Sequence, residues 1–75
     1  MVSRYIITTT NQAAYMRTKQ YLERHNILYV RYGHAFFVAP IIDEAERERL
    51  EKWLKKWSAK DREHMDIYLA NRLYP

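Results

Sequence analysis

Between Ile27 and Pro40 the chain reads ILYVRYGHAFFVAP, two β-rich runs on either side of its single glycine, Gly33. No other stretch restricts the fold as much. The runs Ile27 to Tyr32 and Ala35 to Ala39, joined by Gly33-His34, predict an antiparallel hairpin. Glycine first in a two-residue loop adopts the type II′ turn that matches strand twist. Pro40 lacks a backbone N–H and ends the second run. In this register Tyr32 lies opposite Ala35, Arg31 opposite Phe36, Val30 opposite Phe37 and Tyr29 opposite Val38. One face then carries Leu28, Val30, Tyr32, Ala35, Phe37 and Ala39; the other carries Ile27, Tyr29, Arg31, Phe36 and Val38. Only the second face holds a charge, so Arg31 marks it as the less buried one.

The rest of the chain supplies what covers the hairpin. Arg4 to Thr9 is rich in β-branched residues and predicts a strand. Asn11 offers an N-cap oxygen to a helix running from Gln12 to about His25. Along it Ala14, Thr18, Tyr21, Leu22 and His25 recur at helical spacing as a buried stripe, with Arg17 and Arg24 on a more exposed flank. Asp43 and Glu46 read as the capping box of a second helix, whose stripe is Leu50, Trp53, Leu54 and Trp57. Its acids come early and its lysines late, as the helix dipole favours. Glu48–Lys52 and Glu51–Lys55 form i, i+4 pairs, so this charge run reads as a solvated helix face. The final segment is ambiguous. Met65, Ile67 and Leu69 alternate like a strand, whereas Met65, Leu69 and Leu73 suit a helix capped by Ser58 with Asp61. A strand near Met65 to Ala70 is the preferred reading.

These elements predict one α+β domain over residues 1–75, a two-layer sandwich with two helices on one face of an antiparallel sheet. Trp53, Leu54 and Phe37 should pack together between the layers. At 75 residues the chain is near the lower limit for an unaided core, and with no cysteine it has neither disulfides nor a thiolate zinc site. A homodimer would relieve the shortage of core. The apolar fraction of 48 %, with seven tyrosines and two tryptophans, argues against disorder. The longest apolar run, Ala35 to Ile42, is eight residues and contains Pro40, far short of the roughly 20 needed to span a bilayer. No membrane association and no signal peptide are expected, and the cytoplasm is the expected compartment.

Little in the sequence suggests catalysis. One glycine cannot build a phosphate-cradling loop. Neither Ser3 nor Ser58 sits in a nucleophile-elbow context, and His25, His34 and His64 have no metal-ligand spacing. The carboxylates of the second helix already have basic partners one turn away. The expectation is a non-enzymatic protein without cofactor or metal.

Charge and aromatic residues point instead to binding. The net charge of +4 falls entirely on Met1 to Ile42, where Arg4, Arg17, Lys19, Arg24 and Arg31 face one acid, Glu23. A basic surface attracts nucleic acid or an acidic protein. The open sheet face would display Tyr29, Arg31, Phe36 and Val38, joined by Tyr5 or Ile6. Three uses of that face compete: self-association, stacking of single-stranded RNA or DNA bases, and docking on a foreign protein.

The order βαββα, with a further β at the end, resembles the ferredoxin-like fold that includes the RNA recognition motif. The third strand of that family carries a basic residue, glycine, an aromatic, a small residue, an aromatic and an aliphatic. Tyr32-Gly33-His34-Ala35-Phe36-Phe37 is similar at Gly33, Ala35 and Phe36 and departs at Tyr32 and His34. The resemblance implies base stacking on Phe36 and Tyr5, with His34 beside them. Tyr29, Arg31, Arg17 and Arg24 complete the expected binding surface for RNA, DNA or a protein partner. The beginning of the chain is also similar to a glutaredoxin-like fold, but no cysteine stands near Thr10 to Ala13, where that family's CxxC would fall.

Overall fold

The computed structural model describes residues 4–32 and 37–69, with the side chains of Tyr32 and Phe37 left undescribed. The elements are β1 (Tyr5–Thr9), α1 (Gln12–Arg24), β2 (Arg31–Tyr32), β3 (Phe37–Val38), α2 (Glu44–Leu54), α3 (Ala59–Arg62) and β4 (Met65–Leu69). They form a small α+β structure. The sheet order is β2-β3-β1-β4, with antiparallel pairing at each junction. The longest ladder joins β1 to β4, from Tyr5↔Leu69 to Thr9↔Met65. On its other side β1 pairs with β3 at Thr8↔Phe37 and bridges to Ile42, where Tyr5 N donates to Ile42 O at 3.0 Å. The final segment is therefore a strand as far as Leu69, preceded by the single turn α3; Ala70 lies outside the described residues.

Local chemistry starts each helix where the sequence indicates. Asn11 Oδ1 accepts from Ala14 N at 2.8 Å, Asp43 Oδ1 from Glu46 N at 2.8 Å, and Ser58 Oγ from Asp61 N at 3.1 Å. The end of α1 uses a device not visible in the pattern. Asn26 takes φ 57°, the left-handed region asparagine tolerates better than most residues. Asn26 N then donates to Glu23 O and Ile27 N to Leu22 O, a Schellman closure. With its N–H held by this cap, Ile27 does not start a strand. The second strand is accordingly only Arg31–Tyr32, not Ile27 to Tyr32.

The core lies between the helices and one side of the sheet: Ile7, Val38 and Met65 meet Ala14, Tyr21 and Leu22 of α1, Leu50 of α2, and Ile42 and Trp57. The stripe of α1 is buried as expected from Ala14 to Leu22, but His25 is exposed, because it caps the helix rather than continuing it. In α2's stripe Leu50 and Trp57 are buried, while Trp53 and Leu54 are half-buried against the cluster.

Two expectations about the hairpin are corrected. Arg31 pairs with Val38 and Tyr32 with Phe37, a shift of two residues from the predicted pairing, so the connection is residues 33–36. The predicted type II′ turn at Gly33-His34 lies outside the described residues. A shift of two leaves the same side chains sharing each face, so the hydrophobic pattern does not resist it. The covered face is also the opposite one. Val38 is 0 % exposed in the core and Tyr29 packs against it, whereas Val30 is 53 % and Leu28 92 % exposed. Arg31 misled because a long cation can occupy the rim of a covered face. Its guanidinium lies 5.1 Å from the centre of the Tyr15 ring of α1 while remaining exposed. The expected contact of Phe37 with Trp53 and Leu54 involves a side chain outside the description. Val38 is the β3 side chain found in the described core.

Among the described residues no helix is long and apolar enough to cross a membrane.

Candidate functional site: a basic groove with an aromatic floor

Two helical surfaces with the same spacing build the site. In α1, Arg17, Gln20, Tyr21 and Arg24 stand at i, i+3, i+4 and i+7. In and just beyond α2, Arg49, Lys52, Trp53 and Lys56 repeat that spacing. Residues so spaced share one helix face. Each face thus presents one aromatic ring flanked by cations, and the two rings meet. Tyr21 and Trp53 stack with centroids 4.4 Å apart and planes 28° apart. His25 lies against the other end of this pair, 4.3 Å from Tyr21 and tilted by 41°. Trp57 meets Trp53 edge-on at 5.1 Å.

Over this floor lie two connected recesses that share Tyr21, Arg24 and Trp53. The larger, about 320 Å³, is completed by His25, Arg49, Lys52 and Lys56. The smaller, about 170 Å³, is completed by Arg17 and Gln20. No carboxylate is among these lining residues. The ion pairs among the described residues are Arg17–Asp61 at 3.2 Å, Arg47–Glu51 at 2.7 Å and Arg47–Glu44 at 3.8 Å. Glu51 therefore pairs with Arg47 instead of the expected Lys55. Arg24, Arg49, Lys52 and Lys56 have no carboxylate partner within this set. Burial pushes the Tyr21 hydroxyl up, with Arg49 opposing and the Glu46 carboxylate adding to the rise, so the floor is neutral while the lining residues of the rim are cationic. Such a surface suits an anion with a flat or apolar portion.

The residues proposed from sequence scatter. Arg24 lies in the groove. Arg17 lies at its end, 4.0 Å over the Trp57 ring and tied to Asp61. Tyr5 is not displayed for stacking. It packs against the core from the helix-covered side, and the Arg47 guanidinium lies 5.0 Å from its ring centre. Its neighbour Ile6 is 2 % exposed. Tyr29 packs against the core too, and its hydroxyl donates to Glu23 Oε1 at 3.2 Å. Burial, aided by that bond, pushes this hydroxyl up to about 12. Arg31 lies over the Tyr15 ring and is not among the lining residues of either recess. His34 and Phe36 lie outside the described residues. The open sheet face thus loses Tyr5, Tyr29, Arg31 and Val38, because β1 and the hairpin turn these residues toward the helices.

Sequence reasoning missed Tyr21, His25, Arg49, Lys52, Trp53 and Lys56. The matching spacing in the two helices was the available signal. It was masked because the aromatic residues also fit a core stripe and the lysines a solvated face. Comparison of the chain with protein families, curated proteins and solved structures finds no match.

Proposed function

We propose that the protein is a non-enzymatic binding module for single-stranded nucleic acid, RNA in the first instance, and that it binds through the groove between α1 and α2. The observation that carries this reading is the set of Arg24, Arg49, Lys52 and Lys56, without carboxylate partners among the described residues, around the Tyr21–Trp53 stack. Cations neutralise phosphates, and aromatic rings offer base-sized platforms with little sequence preference. A ferredoxin-like fold is part of the proposal, supported by the order β2-β3-β1-β4 and antiparallel pairing. The binding surface differs from that of the RNA recognition motif, which the sequence resembles, since Tyr5 lies beneath Arg47. A cytoplasmic site of action accords with the cysteine-free composition.

The test is fluorescence polarisation of short single-stranded RNA and DNA at low and physiological salt. Affinity should fall with salt at a slope of about −0.7 per phosphate contact. Lys52→Glu and Arg49→Glu should each weaken binding about tenfold or more and flatten that slope, while Arg31→Ala changes neither. Absence of binding at low salt would refute the reading. A second reading, docking of a protein partner or a second copy, is favoured by the exposure of Leu28 and Val30 beside the edge strand β2. Sedimentation of wild type against Leu28→Lys tests self-association there.

A further inference from the structure

His25 is the one imidazole among the lining residues of the groove. Its ring lies 4.3 Å from Tyr21, and it shares the larger recess with Arg24 from α1 and Arg49, Lys52 and Lys56 from the α2 side. The carboxylate nearest to it in sequence, Glu23, accepts from the Tyr29 hydroxyl. His25 is exposed at the C-terminal cap of α1. Imidazole is the side chain that gains or loses its proton between pH 5 and 8.

We infer that His25 is a proton-linked ligand contact, so that the groove holds phosphodiesters more tightly as pH falls. The inference rests on the nucleic-acid reading above. A phosphate in the recess places negative charge beside the imidazole and favours its protonated form. By reciprocity, the protonated protein then binds phosphate more tightly. Arginine and lysine keep their charge across this range, and a phosphodiester does not titrate in it. Among the residues that line the recess, His25 is therefore the one that carries the change. The bound partner is a phosphodiester chain, and its occupancy reports on pH.

The experiment titrates a short oligouridylate without terminal phosphates at constant ionic strength, at about pH 8 and about pH 6. Wild type should bind about three- to tenfold more tightly at the lower pH, corresponding to a proton held up to about tenfold more firmly in the complex. His25→Gln should bind equally at both values. His25→Arg should bind at least as tightly as acidic wild type, without a pH response. His64→Gln should keep the wild-type response, because His64 is engaged elsewhere, with Nδ1 2.9 Å from Thr10 Oγ1. Salt-sensitive binding that is equal at both pH values in wild type overturns this inference alone. So does a full acidic gain retained in His25→Gln. No binding at either pH overturns both this inference and the proposed function.

Discussion

Val30 and Val38 are the same side chain in opposite surroundings, one 53 % exposed beside the sheet edge and the other 0 % exposed between the layers. Truncating a buried valine loses transfer free energy and leaves a cavity, whereas truncating an exposed one does little. Val38→Ala should cost about 2 kcal/mol in urea unfolding, and Val30→Ala no more than about 0.5. A chain of this length has only about 4–11 kcal/mol of stability to lose. Equal effects, or the reverse order, would contradict the observed covering of the hairpin. Tyr29 adds a pH dependence at the alkaline end. Its hydroxyl is raised to about 12 by burial and by Glu23, against about 10 in an unfolded chain. The stabilisation is thus whole below about pH 10 and is lost as pH rises through about 12. Tyr21 is raised as well and contributes in the same direction. Tyr29→Phe should reduce the alkaline loss of stability in pH-dependent melting and remove a late-titrating phenolate from the absorbance titration.

The helix starts were the most legible elements, because a cap is decided within a few residues. Asp43 both accepts from Glu46 N and puts a negative charge at the positive end of α2. Asp43→Ala should lower stability by about 1 kcal/mol, read as a fall in Tm, while Asp43→Asn retains most of it. The helix end at Asn26 was less legible, since a left-handed residue is usually signalled by glycine and the chain's only glycine is Gly33. The last segment was legible only as a choice. Met65, Ile67 and Leu69 satisfy both periods in part, and the ladder from Tyr5↔Leu69 to Thr9↔Met65 selects the strand. Pairing with a partner some sixty residues distant is not written in local periodicity.

Over the whole molecule, charge is arranged differently from its distribution along the chain. The surplus belongs to Met1 to Ile42, and the remainder is balanced. In space, Arg47 takes up Glu44 and Glu51, and Arg49, Lys52 and Lys56, without carboxylate partners among the described residues, join Arg24 over the aromatic floor. The sum along a segment cannot reveal this, because helical phase separates paired from unpaired charges of one element. Of the candidate site, the sequence therefore supplied Arg17 and Arg24 from the exposed flank of α1. The α2 side emerged only from the packing of Tyr21 on Trp53.

Taken alone, the sequence determined that two segments become helices and where they start, that a hairpin follows α1, and that no thiol chemistry is available. These are outcomes of local physics: side-chain oxygens meeting nearby N–H groups, apolar residues at a repeating interval, the absence of one residue type. The tertiary structure decided which hairpin face is covered, which register the strands adopt and which cations gather over the aromatic floor. Both hairpin faces carry enough apolar surface to be buried, and a two-residue slip keeps each face's membership. Such near-equal alternatives are separated only by long-range packing, when β1 and the helices close over Val38 and Tyr29 instead of Val30 and Leu28.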